Sequence, residues 1–373
     1  MRRIQSLPPL SSAFLDVIRF CSAVAVLVGH FSHPYFLDNG VYHLKWALDA
    51  VGIFFVLSGF VIRFITSYRP TTAWTYGVDR FSRIYSVFLP SVVFSLQATL
   101  LLSPAKLGQD SFASVLNLLG IAQLWGNDIF VSTNSVYWSL CYECAYYLIY
   151  GIAFFGRGWR MILALAAVAL VLGPPILVML PLWLLGAGLH DLYQVMRVNR
   201  LRSLALLAAA GVTGVAALVV IRLLHLRNTP PVAAMLSAIR HLLQPMLQSS
   251  REHHLHLLAR ANPQFYLSGG LAAVVILVVL LLLDKTQVSR TAPVITITRR
   301  IADGTFALYM FHVPMLLLIR AYIPYSGSSP LQRTAIGAAV IAICVFIQGP
   351  LDQLKDWMRL RTERVRRPLT AAD

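Results

Sequence analysis

The chain has 373 residues, 58% of them hydrophobic and 12% charged, with a mean hydropathy of +0.69 and a formal net charge of +16. Soluble domains carry about 25% charged residues, so half that share, combined with long apolar runs, places the chain among membrane proteins and excludes an ordinary soluble enzyme. The basic excess does not point to nucleic acid: the cations lie in short segments between apolar runs, where the positive-inside rule and anionic headgroups favour them, and no polar domain offers one large basic patch.

A bilayer span needs ~20 apolar residues. Candidate spans occur at roughly 13–33, 46–68, 83–103, 136–156, 160–178, 180–195, 203–224, 264–284, 303–322 and 331–352. The expected fold is therefore an all-α polytopic membrane protein of about ten transmembrane helices. Residues 1–12 are basic and polar, and the apolar stretch after them is full-length and contains Asp16 and Arg19. It reads as a retained first span and not as a cleavable leader. The fifth and sixth spans are short and joined at Pro174, Pro175 and Pro181. Irregular backbone of that kind survives at membrane depth only when it is buried in protein or lines a cavity.

With the N-terminus inside, 21 of the 31 Lys and Arg fall on the cytoplasmic side, nine on the other, and Arg19 within the membrane. Both termini are thus expected in the cytoplasm. Residues 1–356 form the expected membrane-embedded unit, and 357–373 a basic cytoplasmic tail. The segment 225–263 carries several charges on the wrong side and reads either as interfacial or as the mark of a miscounted span. Its run His253-His254-Leu255-His256 has only Glu252 as a nearby carboxylate and no closed-site spacing, so no metal is expected. Cys141 and Cys144 make a C-x-x-C inside a membrane helix and, like Cys21 and Cys344, are expected to behave as small hydrophobes.

Ionisable residues inside spans are costly and therefore mark candidate sites. Arg19 and His30 are eleven residues apart on the first span. Eleven residues make three turns plus about 20°, so both point to one face of the helix, ~16 Å apart along its axis. A cation near the cytoplasmic end and a titratable base near the outer end form one polar stripe, and His is the residue best suited to proton transfer near neutral pH. Asp16, at i,i+3 from Arg19, is a possible ion-pair partner. Glu143 sits in a fourth span dense with Tyr137, Tyr142, Tyr146, Tyr147 and Tyr150; a carboxylate there must be neutral or paired with a cation or a His. Arg80 and Arg83 are i,i+3 neighbours at the expected entry of the third span, and guanidinium groups suit phosphate. In Phe54-Phe55-Val56-Leu57-Ser58-Gly59-Phe60 the small Ser58-Gly59 pair lets another helix approach closely.

Four patterns occur in register: Asp16-x-x-Arg19 with His30, Phe-Phe-x-Leu-Ser-Gly-Phe at 54–60, Arg80-x-x-Arg83, and Trp138-Ser139-Leu140-x-x-Glu143. Together with Gly304-Thr305-Phe306-Ala307-Leu308-Tyr309-x-x-His312, they resemble the acyltransferase type 3 family of bacterial membrane O-acyltransferases over essentially the whole chain. That resemblance implies a ten-helix core, an acyl-CoA donor with acetyl-CoA as the default, and a carbohydrate or glycolipid acceptor at the inner membrane. It puts Arg19, His30 and Glu143 in catalytic positions and Arg80 and Arg83 on the CoA phosphates. Trp138, Tyr142 and His312 are taken as substrate-binding. Glu143 is expected to orient His30 or stabilise its charged form. The rival reading is a transporter or flippase, which would more often show repeated halves; none are visible.

Overall fold

A computed structural model describes residues 7–37, 44–198, 263–284 and 286–370 apart from 287 and 290. Among the described residues the chain is helical, with one isolated bridge between Val131 and Asn134. The helices are α1 (Pro9–Phe31), α2 (Leu44–Tyr68), α3 (Ala73–Leu102), α4 (Leu107–Leu118), α5 (Tyr137–Phe155), α6 (Gly158–Leu172), α7 (Pro174–Val198), α8 (Pro263–Leu283), α9 (Pro293–Asp303), α10 (Thr305–Tyr322) and α11 (Pro330–Thr370).

Six of these contain stretches long and apolar enough to cross a membrane: Pro9–Phe31, Trp46–Tyr68, Ala73–Leu102, Pro174–Arg197, Thr305–Tyr322 and Pro330–Glu363. The chain is a multi-span helical membrane protein. Two further apolar stretches, Gly158–Leu172 and Ser268–Leu283, are shorter. The expected fourth span is the 19-residue helix α5, which carries five tyrosines and Glu143 and is not among the six. The expected span at 203–224 and the histidine run at 253–256 lie outside the described residues.

Helix ends follow local chemistry. α3 starts ten residues before the expected 83, because Thr72 caps it by accepting the Thr75 N–H at 3.2 Å. Arg80 and Arg83 therefore sit inside the helix and not at its entry. The break between α6 and α7 falls at Gly173, with φ +79° and Pro174 at the next helix start. A Cβ on Gly173 would also lie 2.9 Å from the Trp125 Cα, so only glycine fits. α11 runs unbroken through Trp357 to Thr370, so residue 357 marks no change of backbone.

The centre of the bundle is α2, which packs against α1, α7 and α8. Lipid is as apolar as a leucine side chain, so helices in a bilayer associate through close packing and polar contacts. At the α2–α7 crossing, a Cβ on Gly59 would lie 2.0 Å from the Trp183 carbonyl oxygen. A Cβ on Gly186 would lie 1.9 Å from the Val56 carbonyl oxygen. The two backbones touch there, and only hydrogen at both positions permits it. Arg63 Nε, 2.8 and 3.1 Å from the two Asp191 carboxylate oxygens, ties the same two helices further along. On the other side of α2, Gly29 of α1 meets Ala47, with 2.7 Å between the Cβ it lacks and that of Ala47. α10 packs on α1, α3 and α11, and α5 meets α3 and α7.

Gly186→Ala should therefore lower the thermal midpoint of the purified protein by an amount matching at least ~1–3 kcal/mol of overpacking. Gly188→Ala, two residues away with nothing within 4 Å of its added methyl, should leave the midpoint unchanged or raise it. Equal behaviour of the two variants in a melting experiment would contradict the contact.

Candidate functional site

The α2–α7 contact fixes what lies beside it. Ser58, next to Gly59, receives a hydrogen bond from Trp183 Nε1 of α7 at 3.2 Å. Its own hydroxyl donates to Glu143 Oε1 at 2.8 Å. Tyr147 follows Glu143 by one turn of α5 and donates its hydroxyl to the same oxygen. The half-buried carboxylate is thus held by two hydroxyl donors. The expected cation or histidine partner lies beyond ion-pair distance among the described residues.

Ser58, Glu143 and Tyr147 line a narrow cavity of about 90 Å³ between α1, α2, α3, α5 and α10. Its walls are apolar and aromatic, including Phe54, Phe55, Phe306 and Tyr309. Arg19, Arg80 and Arg83 line it too, and with Phe306 they also line a larger opening of about 650 Å³. The two spaces meet at this ring of three guanidiniums. The wider one is bounded by the start of α1, the end of α2, the first half of α3, α9 and the distal half of α11.

The three cations at this neck are poorly neutralised. Arg19 Nη1 lies 3.9 Å from Asp16 Oδ1, an ion-pair distance but too long for a hydrogen bond. Arg80 has its guanidinium over the Tyr147 ring, 5.8 Å from the centroid, and its Nε is buried with no hydrogen-bond partner. Arg80 and Arg83 make no ion pair among the described residues. Cations further out are paired: Arg359 with Asp79 at 3.3 Å and Lys355 with Asp352 at 2.5 Å. A buried guanidinium with an open donor is a receptor for an anion.

Phe54, Ser139 and Tyr309 form one layer of the cavity wall. The Tyr309 and Ser139 hydroxyls are 2.6 Å apart, and the Phe54 and Tyr309 rings meet edge-on at 5.6 Å. Beyond this layer, and not lining the cavity, is His30. Arg19 and His30 thus keep the shared side their spacing requires, but a partition separates their surroundings. His30 Nδ1 lies 3.1 Å from His312 Nε2 and 3.0 Å from the Val26 carbonyl oxygen. His312 is fully buried, and its Nδ1 lies 3.0 Å from the carbonyl oxygens of both Leu308 and Tyr309. Pro314 cannot donate to the Met310 carbonyl one turn back. Asn134 Nδ2 donates to that carbonyl instead, at 2.8 Å, and bonds to Ser95 Oγ at 3.1 Å.

Of the residues singled out in the sequence, Arg19, Arg80, Arg83 and Glu143 come together in one cavity, whereas His30 and His312 form a separate pair. Glu143 does not touch His30; the ring beside His30 is that of His312. Trp138 and Tyr142 form an edge-to-face pair at 5.4 Å, and Tyr142 stacks on Phe55 at 6.4 Å. They back the cavity wall and do not line it. His312, with no exposed surface, contacts His30 and not open space. Ser58, Tyr147, Trp183 and Tyr309 emerge only from the structure. The i+4 spacing of Tyr147 from Glu143 was the available sequence signal; Ser58 read as a packing residue only.

Comparison with known proteins adds one result. Residues 12–349 match the family described as an acyltransferase domain. No similar curated protein and no similar solved structure was found.

Glu143→Gln keeps an acceptor oxygen for Ser58 and Tyr147, and Glu143→Leu removes it. The two hydroxyls are 3.2 Å apart and can still pair with each other, so the Leu variant leaves one donor without an acceptor, at a cost of about 1–3 kcal/mol. The Leu variant should melt several degrees below wild type and the Gln variant close to it. A Leu variant as stable as wild type would show that the hydroxyls find other partners.

Proposed function

The chain belongs to the acyltransferase type 3 family, and from that premise we propose that it moves an acyl group, acetyl by default, from acyl-CoA to a hydroxyl of a carbohydrate or glycolipid acceptor. The observation that carries this reading is the neck: three guanidiniums, one loosely paired with Asp16 and two in no ion pair among the described residues, set between a wide charged mouth and a narrow aromatic cavity. The phosphates of CoA suit guanidinium donors at the neck. The pantetheine arm and thioester suit the apolar cavity behind it.

On this reading the mouth faces the cytoplasm of a bacterial inner membrane, where acyl-CoA is made. It collects Arg69, Arg299, Lys355 and Arg359 with the neck arginines, as the positive-inside rule favours. Both termini, about ten spans and the basic tail belong to the same proposal. The acceptor approaches from the other side, where His30 lies. Its hydroxyl oxygen attacks the thioester carbonyl carbon while His30 takes the hydroxyl proton. The carbon–sulfur bond then breaks, the departing thiolate takes that proton from His30, and an ester and a free CoA thiol result. Glu143 acts on the donor side, as countercharge among the arginines and as anchor of Ser58 and Tyr147. Transfer requires the Phe54–Ser139–Tyr309 layer to open. Tyr309 links both compartments, because its hydroxyl helps close the cavity and its carbonyl holds His312.

With purified protein, acetyl-CoA and a glycan acceptor, thiol should be released in step with ester formation. His30→Ala should lower kcat by on the order of 10²–10⁴. Arg80→Ala and Arg83→Ala should each raise the KM for acyl-CoA roughly tenfold, the loss expected for one charge-assisted hydrogen bond. Movement of labelled acyl compound across vesicles without thiol release would favour a transporter instead.

A further inference from the structure

We infer that His312 is a positioning residue that fixes the tautomer of His30, and that the basic atom of His30 is Nε2. The argument is one of donors and acceptors. His312 Nδ1 faces two backbone carbonyl oxygens at 3.0 Å, and a carbonyl oxygen only accepts. In the neutral ring that nitrogen carries the proton, which leaves Nε2 of His312 as a lone pair. His30 Nδ1 then faces two acceptors, the His312 Nε2 lone pair at 3.1 Å and the Val26 carbonyl oxygen at 3.0 Å. It must be the protonated nitrogen. The other tautomer would set lone pair against lone pair at both contacts. Nε2 of His30 is what remains free to accept a proton.

The surroundings make this assignment rigid. His312 has no exposed surface, so its ring cannot trade these partners for water. Its helix is braced by Asn134, which takes up the Met310 carbonyl that Pro314 leaves free. When His30 gains a proton at Nε2, its Nδ1–H already points at two acceptors, so the imidazolium is stabilised with no rearrangement. In a serine-protease triad a carboxylate holds the imidazole in the same way; here a neutral imidazole anchored on backbone carbonyls takes that place.

The activity readout rests on the acyltransferase reading, whereas the tautomer does not, and the test keeps the two apart. In protein labelled with ¹⁵N-histidine, the His30 signals, identified by their loss in His30→Ala, should show a protonated Nδ1 and a bare Nε2. A proton on Nε2 in the wild type overturns the inference whatever the activity. In thiol-release kinetics, His312→Phe should lower kcat about 10²-fold or more with the KM for acyl-CoA unchanged. His312→Gln, which can return an acceptor oxygen to His30 Nδ1, should recover most of that loss. Equal kcat for His312→Phe and wild type overturns the positioning role, as does a Gln variant no better than Phe. Wild-type protein that releases no thiol from any acyl-CoA defeats the acyltransferase reading and leaves the tautomer to be decided by the spectrum.

Discussion

Two backbones in direct contact hold this site in place. Where α2 crosses α7, Gly59 and Gly186 bring main-chain atoms together at distances any side chain would block. In lipid, where helices gain little from hiding apolar surface, such a contact is a large part of what joins them. Its consequences are chemical as well as mechanical. The residue beside Gly59 is Ser58, and the residue whose carbonyl Gly59 approaches is Trp183. The indole, the serine hydroxyl and the Glu143 carboxylate therefore fall into one hydrogen-bonded line across three helices. A wider crossing would separate the indole from the Ser58 hydroxyl and leave that oxygen without the donor that orients it.

The second constraint is charge. Arg19, Arg80 and Arg83 converge on one cavity, and among the described residues the one ion pair they make is Arg19 with Asp16 at 3.9 Å. A structure selected for stability alone would pair such groups or remove them. Arg80 retains a buried Nε with no partner, while arginines and lysines further out find carboxylates. The unfavourable part of the charge balance is concentrated where an anionic donor would relieve it. The histidines, by contrast, are satisfied within the protein, each Nδ1 held by main-chain oxygen. Donor capture and proton transfer are thus built differently: one side is left open to a ligand, the other is closed on itself.

Much of this was legible in the sequence because ionisable residues inside apolar runs are rare. Arg19 and Glu143 stood out on that ground, Arg80 and Arg83 as neighbouring guanidiniums at a span entry, and the structure gathers all four around one cavity. Spacing also set Arg19 and His30 on one side of α1. What spacing could not supply was depth relative to neighbouring helices, so the layer between the two was invisible. Nor could it say which way an aromatic ring faces: Trp138 and Tyr142 pack behind Phe55, while Tyr147, on the same helix, reaches the cavity. The start of α3 was missed because hydropathy begins late there, whereas the cap at Thr72 is a local hydrogen bond. Glu143 and His30 looked like partners because both are titratable; the better-placed partner for His30, His312, lies 282 residues away in sequence.

The layer of Phe54, Ser139 and Tyr309 also bears on the membrane as an insulator. A polar passage wetted from one face to the other would let protons run down their gradient and drain the cell's energy store with every idle second. Here the water-accessible cleft ends at two edge-on rings and a hydroxyl pair only 2.6 Å apart, too close to admit a water between them. A layer of this kind would preserve the electrical resistance of a bilayer while leaving an arginine-lined inlet open on one side.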